Sequence, residues 1–343
     1  MAEQFARALS IVPGAVLHGV TSRGRSRAEE FAARVTAAHA YRDYDELLQD
    51  PAVDIVYIAT RNEHHHDDSI AALHSGKPVL CEKPFALTAA QGRAIATAAR
   101  ERKLFLMEAM WMRFSPAVRA VIELVRSNRI GPLTFLTAQL GIRVPFDKDH
   151  RVYAPAGGAL YDLGVYPLSL VHALLGGAPA RITSLANIGP TSVDEQFTAT
   201  LDYPSGCQAV ITSTLHSNLG NTATLYGTEG HIDLIGGIYF PHDYRVEMSA
   251  TGSPANHRGR LSRAWSRVAR RLPALHFEKE TKRFSIREGY ACEVSAVQRC
   301  LQAGFLECAE MSLDDSIEIL ELMDSIRRRW KEYPPRESCV SLS

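Results

Sequence analysis

The residues best placed to do chemistry sit where short apolar runs end. Asp54-Ile-Val-Tyr57-Ile-Ala-Thr60 leads into Arg61-Asn62-Glu63-His64-His65-His66, and Gly76-Lys-Pro-Val-Leu-Cys-Glu82-Lys83-Pro84 follows. Each run reads as a buried strand with a polar end, and a helical pattern lies between them. In a doubly wound sheet ligands gather beyond the carboxyl ends of the strands, so Thr60, Asn62 and Lys83 point at one crevice. A lysine there can hold an anion or exchange a proton, although taken alone it is more often a solvated charge. The three adjacent histidines diverge on a turn or helix start and match no metal-ligand spacing, so no metal is expected. Asp162 and Tyr166 are four residues apart, which on a helix turns both the same way. Thr21-Ser22-Arg23-Gly-Arg25-Ser-Arg27 offers hydroxyls and guanidiniums that suit a phosphate.

The elements that must carry these residues change character along the chain. Up to about residue 108, Val16–Val20, Asp54–Ala59, Pro78–Cys81 and Leu104–Leu106 read as buried parallel strands. The stretches from Ser26 to Arg34, His65 to Ser75 and Thr88 to Arg100 supply crossover helices, which implies an α/β doubly wound sheet. Beyond residue 130 six stretches look like strands: 133–142, 181–187, 195–202, 208–215, 221–226 and 231–234. Helices at about 158–174, 289–303 and 313–330 interrupt them, giving an α+β part with a largely antiparallel sheet. The expected organisation is a Rossmann-like domain over 1–110, a substrate and dimerisation domain over 111–334, and a tail over 335–343.

Composition excludes several classes. The 343 residues are 46% hydrophobic and 22% charged, an ordinary globular make-up that a single core rarely holds together. Thirty-eight basic residues balance 38 acidic ones, so no global field draws the chain to nucleic acid or an anionic membrane. Six cysteines without a C-x-x-C pair argue against a disulfide framework or a thiolate zinc site. No apolar run approaches the ~20 residues of a membrane span and no signal peptide opens the chain, so a cytoplasmic protein is expected. From Arg258 to Arg271, both included, six arginines interleave with Leu261, Trp265 and Val268. This basic amphipathic stretch fits either a solvated insertion packed on the sheet or a surface for a membrane, a phosphorylated ligand or a partner.

Glu82-Lys83-Pro84, with Ala59-Thr60 upstream, resembles the glucose-fructose oxidoreductase and inositol dehydrogenase family, Gfo/Idh/MocA. Further matches are Met107-Glu108-Ala-Met-Trp111-Met-Arg113-Phe114-Ser-Pro116, Gly157-Gly-Ala-Leu-Tyr-Asp162-Leu-Gly-Val-Tyr166-Pro167, Val193-Asp-Glu-Gln196 and Tyr226-Gly-Thr-Glu-Gly230. These blocks span most of the chain and look most like the dimeric dihydrodiol dehydrogenase and NADP-dependent D-xylose dehydrogenase subgroup. The resemblance implies hydride transfer between a nicotinamide cofactor and a sugar, polyol or dihydrodiol-like alcohol. It makes Lys83 the catalytic lysine, with Asp162 and Tyr166 beside it: the ammonium would stabilise the tyrosine phenolate, and the aspartate would orient the lysine or the substrate hydroxyl.

The resemblance also implies cofactor contacts from Ser22, Arg23, Arg27, Tyr57, Thr60, Asn62, His65 and Glu82, and substrate contacts from Trp111 and Arg113. Arg23 and Arg27 match positions that hold a 2′-phosphate, so NADP is expected over NAD, with Arg25 solvated. A homodimer is implied as well, formed through the open face of the second sheet. Two other readings fit the same residues: a non-catalytic cofactor-binding regulator, and a family enzyme that uses the cofactor in keto-sugar reduction or glycoside cleavage.

The chain departs from the family at its start. The family opens with a strand and a Gly-rich turn that lets the backbone approach a pyrophosphate. Here Met1 falls inside the helix that should follow, and no G-x-G-x-x-G occurs elsewhere. Losing that central strand would leave a slot in the sheet, so the natural product is expected to begin about 10 to 20 residues earlier, the length of one strand and its turn. Arg61 stands where the family usually has proline, which loosens the loop beneath the cofactor and adds a possible phosphate contact.

Overall fold

The computed structural model describes residues 1–249 and 286–330. The arginine-rich stretch 258–271 and the tail 335–343 lie outside the described residues.

The first half alternates α1 (Ala2–Leu9), β1 (Gly19–Val20), α2 (Arg25–Val35), β2 (His39–Ala40), α3 (Tyr44–Gln49), β3 (Val56–Ile58), α4 (His65–His74), β4 (Val79–Glu82), α5 (Ala89–Arg102) and β5 (Leu106–Ala109). Every strand pair is parallel, as the continuous apolar runs require. All four residues of β4 are buried, which fits a central strand covered on both faces. Side-chain caps set two helix starts: the Asp43 carboxylate accepts from the Glu46 amide at 2.9 Å, and the Thr88 hydroxyl from the Gln91 amide at 3.2 Å.

The sheet is divided. β1 pairs only with β2, and β3–β4–β5 form a separate three-stranded sheet. Val16, expected within a buried strand, is 76% exposed, and only Gly19 and Val20 pair. The expected strand at Leu104–Leu106 is displaced to Leu106–Ala109, where the buried acid Glu108 interrupts the apolar run.

The second half opens with α6 (Pro116–Arg126) and builds one seven-stranded sheet in the order β12-β11-β10-β6-β9-β8-β7. Its strands are β6 (Leu133–Gly141), β7 (Arg181–Ile188), β8 (Asp194–Asp202), β9 (Gln208–Thr214), β10 (Ala223–Gly227), β11 (Gly230–Ile235) and β12 (Asp243–Met248). All pairs are antiparallel except β6 with β9. Along β11 and β9 burial alternates, so one face meets the core and the other stays open. A π-turn (Leu160–Gly164) runs into α7 (Val165–Leu175), which packs on the covered face. The chain returns to the first half through α8 (Ile286–Gln302), packed on α1, and α9 (Leu313–Trp330), packed on α5. Arg100 reinforces the return by pairing with Glu307 at 3.0 Å and Asp314 at 2.8 Å. Among the described residues no helix is long and apolar enough to cross a membrane.

Candidate active site

A cleft of about 1570 Å³ runs between β1 and β3 and reaches the ends of β3 and β4. Ser22, Arg23, Arg27, Tyr57, Thr60, Asn62, His65, Glu82 and Lys83 all line it. The loop after β1 brings in Arg23, and the first turn of α2 brings in Arg27. Arg25, between them, turns away and pairs with Glu29 at 2.8 Å, because one helical turn separates those two residues. Arg23 and Arg27 are exposed and have no ion-pair partner among the described residues, so two guanidiniums bring unmatched charge to the cleft.

At the end of β4, Lys83 is 4% exposed. Its Nζ donates to the main-chain carbonyl of Asp162 at 2.8 Å and lies 5.0 Å from the centre of the Tyr166 ring. Lys83, Asp162 and Tyr166 thus converge, but in an arrangement that differs from expectation. The lysine meets the carbonyl rather than the carboxylate of Asp162, and the face of the tyrosine rather than its hydroxyl. The Asp162 carboxylate pairs instead with Arg151 through Oδ1.

Burial dominates the electrostatics. It pushes the Lys83 ammonium below its ordinary value, and Arg151 adds to that effect while Asp162, Glu82 and Glu108 oppose it. It also pushes the Tyr166 phenol well up, against a hydrogen bond from Trp111. Stabilisation of a Tyr166 phenolate by Lys83 is therefore not what this geometry supplies: the group made easier to deprotonate is the lysine itself.

Trp111 acts on the site through Tyr166. Its Nε1 donates to the phenolic oxygen at 3.0 Å, and its ring stacks on Tyr290 and Phe240 at 4.5 and 5.0 Å. With its oxygen engaged as an acceptor, Tyr166 keeps its own proton to donate. Trp111 itself is 5% exposed and does not line the cleft. Arg113, expected to touch substrate, does not reach the cleft either. It is buried and faces Asp315 of α9 at 3.4 Å. The 3-10 turn Trp111–Phe114 sets the two side chains about 120° apart, Trp111 towards Tyr166 and Arg113 towards Asp315.

The remaining candidates shape the crevice. The Tyr57 hydroxyl donates to Glu82, whose carboxyl is raised by burial against that bond. The Asn62 amide donates to the Ala156 carbonyl at 2.9 Å, tying the end of β3 to the second half. The Thr60 hydroxyl donates to Asp68 at 2.7 Å. His65 is buried between the Lys83–Pro84 turn and the end of β3, with Nδ1 2.8 Å from the Pro84 carbonyl oxygen. Its neighbour His66 turns outward to Asp67. Among the described residues no group of three or more His, Cys, Asp or Glu is gathered as a metal site.

Three participants escaped the sequence reading. Arg151 sits in a polar loop with no periodic signal. Tyr290 and Glu293 lie on α8, which looked like a packing helix, yet Tyr290 stacks on Trp111 and Glu293 is fully buried near Glu82 and Glu108. An acid in an otherwise apolar helical stripe was the available signal for Glu293.

Comparison with known proteins supplies the context. Residues 1–110 match the model of the Gfo/Idh/MocA oxidoreductase family, NAD-binding Rossmann fold, and residues 118–233 match the Gfo/Idh/MocA C-terminal domain. A trans-1,2-dihydrobenzene-1,2-diol dehydrogenase from Sus scrofa is 32% identical over 324 residues, covering 93% of this chain and 90% of its own. Two solved structures share the fold. A 3-ketoreductase from Actinomadura kijaniata in complex with NADP has a TM-score of 0.74 at 23% identity, covering 95% of this chain and 92% of that one. A levoglucosan dehydrogenase in complex with NADH and levoglucosan has a TM-score of 0.80 at 19% identity, covering 97% and 95%.

Proposed function

The chain belongs to the Gfo/Idh/MocA oxidoreductase family, and from that premise we propose an NADP-dependent dehydrogenase or reductase of a secondary alcohol in a sugar, polyol or dihydrodiol. One observation carries the reading. The two unpaired arginines after β1 and the lysine after β4 line the same cleft, and Asp162 and Tyr166 close on that lysine.

The residues present fit the phosphorylated ribose and the nicotinamide end of a dinucleotide, while no G-x-G-x-x-G turn for its pyrophosphate occurs in the sequence. Arg23, Arg27 and Ser22 would hold a 2′-phosphate, since a guanidinium brings charge and paired donors in one plane. Thr60, Asn62, His65 and the Tyr57–Glu82 pair would flank the rest of the cofactor. When bound, the nicotinamide supplies a carbon that accepts or returns hydride. Lys83, lowered by burial, takes the hydroxyl proton during oxidation and returns it during reduction. Tyr166, with Trp111 on its oxygen, would keep its proton and use its hydroxyl as a hydrogen-bond donor to the reacting oxygen, fixing its direction. His65 holds the Pro84 carbonyl and so the turn that carries the lysine.

The test is a fluorescence titration with NADPH and NADH, followed by turnover of trans-dihydrodiols and aldoses with the preferred cofactor. The reading expects tighter NADPH binding, and Arg23→Ala with Arg27→Ala should weaken NADPH by about ten- to a hundredfold while leaving NADH nearly unchanged. Equal loss for both cofactors would remove the phosphate assignment. The same reading expects a homodimer over the open face of the seven-stranded sheet, where Tyr226 is 40% exposed. Analytical ultracentrifugation showing only monomer would remove that part.

A further inference from the structure

Arg151 shares Asp162 with the lysine. Asp162 is used at two places: its main-chain carbonyl accepts from Lys83 Nζ at 2.8 Å, and its Oδ1 accepts from Arg151 Nη1. The other carboxylate oxygen, Oδ2, is screened from water and has no hydrogen-bond partner among the described residues. The Asp162 side chain is 2% exposed and that of Arg151 52%, so the guanidinium covers the carboxylate from the cleft side, where it lines the wall with Lys83 and Asn62.

The backbone beneath Arg151 is held in place. It starts a 3-10 turn, Arg151–Tyr153, whose Val152 and Tyr153 are buried. The Gly158 amide donates to the Val152 carbonyl at 2.7 Å. A Cβ on Gly157 would stand 2.4 Å from the Val152 carbonyl oxygen and 2.6 Å from that of Arg151. Gly158 has φ +109°, and a Cβ there would meet Asp194 at 2.3 Å. Only glycines let the arginine turn press against the start of the segment that carries Asp162. A surface ion pair would need no such seat.

Resting on the dehydrogenase reading above, we propose that Arg151 is a positioning residue: it pins Oδ1 of Asp162, steadies the residue whose carbonyl holds Lys83, and sets a positive charge beside that lysine on the cleft wall, where a substrate hydroxyl would meet it. The groups that face Lys83 are Asp162 and Tyr166 from the π-turn and α7, Glu82 from β4, Glu108 from β5, His65 from α4 and Arg151. The three carboxylates favour the ammonium, and Arg151 opposes them. Its removal leaves them unopposed, so Lys83 keeps its proton to higher pH.

The experiment compares pH profiles of kcat and kcat/KM for wild type, Arg151→Gln and Arg151→Lys, with NADPH affinity measured in parallel and Lys83→Met as a check on the premise. Arg151→Gln is expected to raise KM for the alcohol about tenfold. The limb governed by Lys83 should move up by about one pH unit, while NADPH affinity changes by less than about threefold. Arg151→Lys should restore the limb, because it returns the charge, but not the full KM, because it lacks the planar fork. Wild-type KM and profile in Arg151→Gln would overturn the proposal, as would an Arg151→Lys limb no closer to wild type than that of Arg151→Gln. Should Arg151→Gln not fold, Arg151→Lys decides alone: a raised KM with an unmoved limb supports the proposal, and an unchanged KM overturns it. Full turnover by Lys83→Met would instead bring down the dehydrogenase reading itself, independently of Arg151.

Discussion

The two halves of the chain use β-structure for opposite purposes. The first half divides five parallel strands of two to four residues between two sheets, and a cleft opens in the divide between β1 and β3. The second half joins seven strands of five to nine residues in one continuous sheet and covers one face with helices. Short strands with an unpaired edge hold less of their own stability, so a region like the first half is the one whose order a ligand can raise. The long ladder provides a fixed platform, from which the π-turn and α7 deliver Asp162 and Tyr166 to a lysine belonging to the other half.

The comparison can be broken most sharply at the shared lysine. Lys83→Met should lower kcat by about 10²- to 10⁴-fold, read by steady-state kinetics, while NADPH binding stays nearly intact. A parallel loss of binding would mean that the lysine holds the first half together rather than serving the reaction. Next comes the platform. Phe197 of β8 is 1% exposed, and Phe197→Ala should cost about 3 to 5 kcal/mol in denaturant unfolding, far more than any exposed change on β1. A cost below about 1 kcal/mol would show that the second half is not the stable partner.

Cofactor should sharpen the contrast. At about 100 times its dissociation constant, NADPH adds about 2.7 kcal/mol to the folded state. Hydrogen exchange should slow chiefly in β1, β3 and their loops, with β8 and β9 little changed; uniform slowing would deny the first half its separate, weaker order.

The smallest expected effect is a pair of opposed pH slopes. In the second half, burial raises Asp194 to about 7 even though the Leu160 amide donates to it. A carboxyl raised in the folded state binds more protons there than when unfolded. Its stabilisation is full below pH ~4 and is lost as pH rises towards 7. In the first half, the Tyr41 hydroxyl, the Ala52 amide and His18 hold Asp50 down at about 2, so its stabilisation is present above pH ~4 and lost as pH falls towards 2. Melting temperatures against pH should therefore lose slope between 4 and 7 in Asp194→Asn, and between 2 and 4 in Asp50→Asn. The same loss of slope from both variants in one window would refute the assignment.

Much of this arrangement was legible beforehand, for identifiable reasons. Continuous apolar runs marked β3 and β4, strand-like stretches set off by turn residues marked the second sheet, and polar residues closing the parallel strands marked Thr60, Asn62 and Lys83. What was hidden depended on partners distant in sequence. Val16 has strand composition but no strand beside it, so it stays in solvent. β12 was missed because Asp243–Met248 is an edge strand rich in charge, whose outward residues mask the period of two. Arg113 was placed at the substrate by the family resemblance, and only its partner Asp315, some two hundred residues on, shows that it faces another way. The acceptor chosen by Lys83 depends on the backbone of a residue 79 positions away, which no residue type reveals.

That acceptor has an implication for how the site tolerates change. A main-chain carbonyl comes with every amino acid and carries no titrating proton. Whatever side chain stands at position 162, Lys83 finds the same oxygen, at any pH at which the fold survives. Position 162 can therefore exchange its carboxylate for another group and alter how a substrate is greeted, while the lysine stays moored where it is.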